Sequence, residues 1–210
     1  MSKKLYAAFV PLFAVAAFAV LPAVAQAQLH YYSNGVIIPQ NKPVTVTTKG
    51  TLDFSGAGET FTCKVTDKGT VTNPTGGGAG VDSITEFVNK ECVIEPPSCA
   101  AGEAEELTAG KLPWKSVLVA GPRDQIEGIE LKVECNKAGV KTVLDVFTGK
   151  LTPKFVNGSP VTTCKGATDS FIEFDEPGSG FLEDPAKNHG VPSGKDFIEG
   201  PAGDLCITVK

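Results

Sequence analysis

The chain has 210 residues, a formal net charge of −5 and two histidines, and this composition argues against several classes of function. An acidic chain without a run of Lys or Arg repels phosphate backbones and anionic membrane surfaces, so nucleic-acid binding is disfavoured. The 23 glycines and 15 prolines favour many short strands separated by turns over long helices.

The N-terminal residues have the layout of an export signal. Lys3 and Lys4 precede an uncharged apolar run from Leu5 to Val24, which is followed by the small-residue sequence Ala25-Gln26-Ala27. We predict cleavage after Ala27, which leaves a secreted chain of 183 residues with a net charge of −7, because two lysines are removed. A membrane anchor is the alternative, since about 20 apolar residues span a bilayer. Two prolines inside the run weaken such a helix, and we expect no stable membrane span after cleavage.

Alternation of apolar and polar residues, which is typical of half-buried strands, dominates the exported part. The clearest examples are Val-Thr-Val-Thr-Thr at 44–48 and Thr-Phe-Thr-Cys-Lys-Val-Thr at 60–66, both rich in β-branched residues. Further strands are predicted at 52–54, 69–72, 83–88, 115–120, 129–135, 142–155 with a turn near Gly149, 171–174 and 205–209.

Three segments lack strand character. Residues 73–80 are Gly-rich and predict a flexible hairpin or loop, whereas residues 100–109, with glutamates among alanines, form at most a short surface helix or a solvated loop. Residues 175–204 are predicted to form a long irregular loop. The whole pattern predicts one all-β domain over residues 28–210. We expect an antiparallel β-sandwich or barrel-like sandwich stapled by disulfides, with little or no helix.

All six cysteines lie in the exported part, where an even number favours three disulfides over a metal cluster. Close Cys-x-x-Cys pairs, which a tetrahedral metal site needs, are absent from the sequence. The strand alternation directs Cys63 and Cys135 toward the core, so we predict the bridge Cys63–Cys135. Cys92–Cys99 would then close a small loop, and Cys164–Cys206 would tie down the last strand. Cys63–Cys92 is the main competing pairing.

Several short motifs after the export signal resemble those of a known group of proteins, over roughly residues 44–160. They are Gly50-Thr51-Leu52, Thr62-Cys63-Lys64, Gly69-Thr70-Val71-Thr72-Asn73-Pro74, Cys92, Leu112-Pro113-Trp114 and Cys135. The group consists of secreted β-rich proteins of high-GC Gram-positive bacteria without an assigned activity. The resemblance implies a bacterial exported β protein with structural cysteines. It brings no catalytic residues to this chain.

The sequence offers few candidates for nucleophilic or phosphate chemistry. His30 lies close to the new N-terminus, where fraying is usual, and His189 is predicted to be a solvated loop histidine. No Gly-x-Ser-x-Gly sequence occurs, and the glycines of 76–80 lack the Lys-Ser/Thr of a phosphate-binding loop. Trp114 is predicted to pack in the core rather than to bind a sugar or a partner.

Acidic residues near the C-terminus are the candidates for carboxylate chemistry. They are Glu173, Asp175, Glu176, Glu183, Asp184, Asp196 and Glu199. Two carboxylates about 5–10 Å apart across a groove could hydrolyse a glycosidic bond. Calcium also takes carboxylate oxygens, but the EF-hand spacing is absent and acidic loop residues commonly serve solubility, so we expect no cofactor.

These observations predict a secreted or cell-surface protein with a structural or recognition role and no catalytic residues. Loops on a rigid β scaffold commonly carry binding surfaces, so residues 73–80 and 175–204 are the expected contacts with a cell-wall or extracellular ligand. The alternative is a secreted, glycosidase-like hydrolase that uses the loop carboxylates.

Overall fold

The computed structural model describes residues 28–56, 58–158, 170–175, 177–185, 189–199 and 207–210, and within these ranges the chain is all-β without a helix. No helix in this part of the chain is therefore long and apolar enough to cross a membrane. The strands are β1 (Tyr31–Ser33), β2 (Val36–Ile37), β3 (Val44–Gly56), β4 (Glu59–Thr72), β5 (Val81–Glu95), β6 (Ala104–Gly110), β7 (Trp114–Val119), β8 (Arg123–Lys137), β9 (Val140–Leu151), β10 (Lys154–Val156), β11 (Phe171–Glu173), β12 (Leu182–Glu183), β13 (His189–Glu199) and β14 (Ile207–Val209).

Eight antiparallel strand positions close into a barrel. Their order is β3, β4, β5, β7, β8, β9, β12 and β13, and β13 pairs back to β3 from Val191↔Ser55 to Glu199↔Thr47. Short strands extend three of these positions: β6 runs along β8 beyond β7, while β10 and β11 prolong the positions of β9 and β12. The predicted all-β, antiparallel, disulfide-stapled fold is confirmed, in its barrel form.

A small second sheet, ordered β14-β1-β2, closes one end of the barrel and is called the cap below. It joins the start of the described chain to its end, since Tyr31 pairs with Val209. His30 does not fray as predicted: its N–H donates to the Lys210 carbonyl at 2.9 Å, and Lys210 N donates back at 3.2 Å. The Asn157 side chain completes the free edge of β14 by exchanging two hydrogen bonds with the Val209 backbone, at 2.7 and 2.8 Å.

Alternating inward side chains fill the barrel with two apolar clusters. The larger cluster contains Phe54, Phe61 and Phe147, with the Phe54 and Phe147 ring centroids 4.9 Å apart. The smaller one lies under the cap. Trp114 is a core residue as predicted, because it is 5% exposed, packs on Phe87 and donates from Nε1 to the Gly110 carbonyl at 2.9 Å.

Three of the predicted local structures are wrong. Residues 104–110 form β6 rather than a helix or solvated loop, because all seven pair with β8. Gly149 lies inside β9 and makes no turn, and the break comes at Thr152 and Pro153. The predicted irregular loop 175–204 contains β12 and the long strand β13, which closes the barrel. The loop at 73–80 is confirmed between β4 and β5.

The two bridges within the described residues differ from the predicted pairs, and Cys63–Cys135 and Cys92–Cys99 are both wrong. The structure contains Cys63–Cys92, the competing pairing, and Cys99–Cys135, with Cα–Cα distances of 4.1 and 5.6 Å. Cys63 and Cys135 both face the interior as predicted. They lie on β4 and β8, however, which β5 and β7 separate in the barrel. The predicted Cys164–Cys206 bridge and the signal peptide with its cleavage after Ala27 lie outside the described residues.

Candidate functional site

The two apolar clusters fill most of the barrel interior that the described residues enclose. A cavity of about 50 Å³ lies between the barrel and the cap, lined in part by Tyr31, Asp67, Asp82 and Asp124. A water molecule occupies about 30 Å³, so this space holds one or two waters and is far smaller than the hundreds of Å³ typical of small-molecule sites. The cavity is therefore notable for the acids around it rather than for its size.

Asp82 and Asp124 form the first acid pair at this cavity. Asp124 is 1% exposed and accepts a hydrogen bond from the Ser116 hydroxyl, while the Tyr31 hydroxyl donates to Asp82 Oδ2 at 3.5 Å. Burial raises the pKa of Asp124 well above its usual range, and the neighbouring Asp82 charge raises it further. Burial also raises the pKa of Asp82. Both effects favour the protonated form of Asp124 beside Asp82.

Asp67 and Asp196 form the second acid pair, on β4 and β13. Burial raises the pKa of Asp67 well above its usual range, and the charge of Asp196 adds to this effect. Burial alone raises the pKa of Asp196 to about 7. Asp196 is 3% exposed, and its Oδ1, like those of Asp67 and Asp82, has no hydrogen-bond partner among the described residues.

A separate acid cluster lies at the barrel end opposite the cap. Glu59 begins β4 and is 7% exposed, and its pKa rises to about 7 through burial, the adjacent Glu105 carboxyl and the charge of Asp145. Burial also raises the pKa of Asp145, with a further contribution from the charge of Asp184. Glu105 Oε2 accepts a hydrogen bond from Ser98 N at 3.0 Å. The carboxyls of Glu59 on β4, Glu105 on β6, Asp145 on β9 and Asp184 directly after β12 thus meet at this end.

Two surface depressions adjoin this cluster. One, of about 310 Å³, lies between β5 and β6 and is lined by residues that include Glu91, Glu105 and Glu106. The other, of about 470 Å³, lies between the β3–β4 turn and β13 and includes Glu59, Thr60 and His189. Of the seven acids near the C-terminus that the sequence raised as candidates, none of the six within the described residues lines either depression.

Those seven acids are dispersed in the fold. Glu173 pairs with Lys195 at 2.9 Å and Glu199 with Lys49 at 2.7 Å, both at the barrel surface. Asp175 accepts from Gly194 N, Asp184 lies beside Asp145, and Asp196 points into the barrel. Glu183 belongs to β12, and Glu176 lies outside the described residues. No group of three or more His, Cys, Asp or Glu within the described ranges is arranged to hold a metal ion.

His189 begins β13 instead of lying in a loop, and it is exposed as predicted. Its ring lies edge-on to Phe181, with the centroids 4.2 Å apart. No hydrogen bond joins it to an acid within the described part of the chain. Phe181 and Val191, which are 46% and 47% exposed, complete an apolar surface with His189. This surface, which we call the β13 patch, faces outward beside the larger depression.

Sequence reasoning missed the buried acids because it treated acidic residues as solvated. The phase of the alternation contained the missing signal: Asp67 follows Phe61, Cys63 and Val65 at two-residue spacing and therefore shares their inward face. In the same way Asp124 shares a face with Ile126. An aspartate in the inward phase of a strand indicates a buried acid.

No protein-family model, curated protein or solved structure matches this chain. The inferences about function below accordingly start from the residues and surfaces just described.

Proposed function

We propose that this chain is an exported recognition module that binds a cell-wall or extracellular ligand through its outer surface. The observation that carries the proposal is the small size of the cavity between the barrel and the cap, about 50 Å³. Because an organic ligand does not fit there, we infer that it contacts the outer surface. The two disulfides support export, because such bonds persist in oxidising compartments.

The β13 patch is the contact surface we favour. Phe181, His189 and Val191 expose apolar and aromatic groups side by side, next to a depression that presents the hydroxyls of Ser55 and Thr60. Contiguous exposed apolar groups with a polar rim are typical of binding surfaces. The patch also lies within residues 175–204, where the sequence predicted ligand contacts.

A photoreactive residue at the patch tests this proposal. We expect Val191→p-benzoylphenylalanine to form a covalent adduct with a component of the medium or cell envelope of the producing cells upon illumination. The matched control is the same replacement at Val140, which is also an exposed strand valine, 70% exposed against 47% for Val191. Adducts of equal yield from both positions, or from neither, would contradict a binding surface at the patch.

A second candidate function is a carboxylate-dependent hydrolase, the class of enzyme that the sequence raised as the alternative, but with acids other than the C-terminal loop carboxylates. It is favoured by Glu59, whose pKa of about 7 suits a proton donor, beside Glu105 at a surface depression. We expect such activity to fall as Glu59 ionises above about pH 7. A panel of cell-wall glycans and peptides, assayed with the protein and with Glu59→Gln, tests it, with the exposed Glu95→Gln as control. Unchanged turnover in Glu59→Gln would exclude this role for Glu59.

A further inference from the structure

The cap rests on the barrel through a buried tyrosine and a layer of acids. We propose that this arrangement is a proton-dependent latch, in which protonated acids hold the cap closed and their ionisation at alkaline pH releases it. The released end would expose the smaller apolar cluster of the barrel.

Tyr31 is the part of the cap that enters the barrel. It is 1% exposed, its ring meets Phe155 edge-on at 6.3 Å, and its hydroxyl approaches Asp82 Oδ2 at 3.5 Å. The fit is tight, because a Cβ added to Gly80 would lie 2.6 Å from the Tyr31 ring. The cap therefore cannot lift without withdrawing this side chain from the acids.

The groups that face this contact come from six elements of the barrel and the cap. The titratable ones are Tyr31 on β1, Asp67 on β4, Asp82 on β5, Asp124 on β8 and Asp196 on β13. Lys68 on β4 also lines the cavity, but its Nζ pairs with Glu86 at 2.9 Å. The cation that acts on Asp82 is Lys115 on β7, which lowers the pKa of Asp82 only after larger effects. Its Nζ also donates to the Ser83 hydroxyl, at 2.8 Å. Lys115 by itself cannot balance the several carboxylates buried here.

The direction of the pH effect follows from proton binding. The closed cap keeps Asp124 and its neighbours away from water, so the closed state binds protons more tightly than a state in which water reaches them. Each proton lost at higher pH therefore leaves an uncompensated buried charge in the closed state, which is unfavourable unless water enters. Rising pH consequently shifts the equilibrium toward the open cap.

Amide hydrogen exchange on the mature chain, residues 28–210, tests the latch at pH 7, 8 and 9 after correction for the intrinsic exchange rate. We expect the opening equilibrium at the Tyr31, Ile207 and Val209 amides to rise by about tenfold over this range. Amides in the paired strands β8 and β9 should stay unchanged. Parallel loss of protection in the cap and in these strands between pH 7 and pH 9 would overturn the proposal, since the loss would then come from unfolding of the whole barrel. An unchanged cap would overturn it as well.

Substitution of the acids gives an independent measurement. In the Asp82→Asn/Asp124→Asn variant the amides occupy the same space without ionising, so we expect the pH dependence of cap exchange to fall below about twofold. The matched control is Glu86→Gln/Glu95→Gln on the outer side of β5, which should retain the tenfold rise. If the double variant does not fold, Asp124→Asn alone serves, because Asp124 is the more deeply buried acid of the pair. A full tenfold rise in a folded Asn variant would contradict the latch.

Discussion

Asn73 connects the barrel to the cap through one buried side chain. It is 0% exposed, its Oδ1 accepts from Tyr31 N at 2.9 Å, and its Nδ2 donates to the carbonyls of Tyr31 and Ile38 at 2.9 and 2.8 Å. Buried backbone groups need partners, and here an amide provides both the acceptor and the donors. Only the amide side chains of Asn and Gln offer an oxygen acceptor together with an NH₂ donor, and Gln is longer.

We expect Asn73→Asp to lower the free energy of unfolding by about 3 kcal/mol or more at pH 7. An aspartate can accept from Tyr31 N but cannot donate, so the Ile38 carbonyl loses its partner and the Tyr31 carbonyl keeps only the Ile38 N–H. Both carbonyls then face a buried charge. Urea unfolding measures the change. Asn41→Asp, at an exposed position, is the control and should cost less than about 0.5 kcal/mol. Equal urea midpoints for the two variants would contradict the role given to Asn73.

At the residue scale, the alternation of strand residues predicted burial well and partners poorly. Cys63, Cys135 and Trp114 face the interior as expected, because the two-residue period fixes the side of the sheet. The disulfide partner depends instead on which strands are neighbours, and that is a property of the fold rather than of the strand. The buried acids were missed because acidic residues were treated as solvated. The same two-residue period places Asp67 and Asp124 on the inward face of their strands.

At the scale of the element, β13 shows why a long strand was predicted as an irregular loop. Its alternation is inverted: Val191 and Phe197 are exposed, while Gly190 and Asp196 point inward. Gly190 is required there because a Cβ would lie 2.3 Å from Phe54 Cζ. Similarly, the Glu and Ala residues of β6 favour a helix locally, and pairing with β8 overrides that preference.

The disulfide Cys99–Cys135 holds the β5–β6 connection onto β8. Its removal by Cys99→Ala/Cys135→Ala should reduce the free energy of unfolding by about 4 kcal/mol on the chain-entropy model, since the two cysteines are 36 positions apart. Denaturant unfolding measures this loss, and Cys63→Ala/Cys92→Ala, at a separation of 29, should show a similar one.

Peptide mapping without reductant provides the check on the pairing itself. A proteolytic digest of the exported protein should contain the Cys63 peptide linked to the Cys92 peptide and the Cys99 peptide linked to the Cys135 peptide. Recovery of a Cys63–Cys135 linkage would restore the pairing inferred from the sequence. Free thiols at these four positions would refute both arrangements.

At the scale of the molecule, the all-β class follows from local sequence, whereas the closed barrel does not. Closure depends on the pairing of β3 with β13, strands that lie more than 130 residues apart in the chain and have no local signal for each other. Sandwich and barrel use the same alternating strands, so the choice between them is made by this long-range ladder.

Glu59 and Asp196 give the stability of the whole barrel a pH dependence below about pH 7. Burial raises the pKa of Asp196 from 3.8 to about 7 and that of Glu59 from 4.5 to about 7. These two carboxyls therefore bind protons more tightly in the folded protein than in the unfolded chain. Stability from these groups is complete below the unfolded pKa values and is lost as the pH rises through the folded ones.

We accordingly expect the free energy of unfolding to be highest near pH 4 and to fall by about 3 kcal/mol or more by pH 7, opposite to the usual behaviour of proteins with salt-bridged carboxylates. Urea titrations at half-unit steps of pH measure the curve. Asp196→Asn should flatten part of it, because the amide does not ionise, whereas the surface variant Glu95→Gln should leave it unchanged. A stability that rises from pH 4 to pH 7 would mean that the inward carboxyls ionise freely, and water would then have to reach the barrel interior.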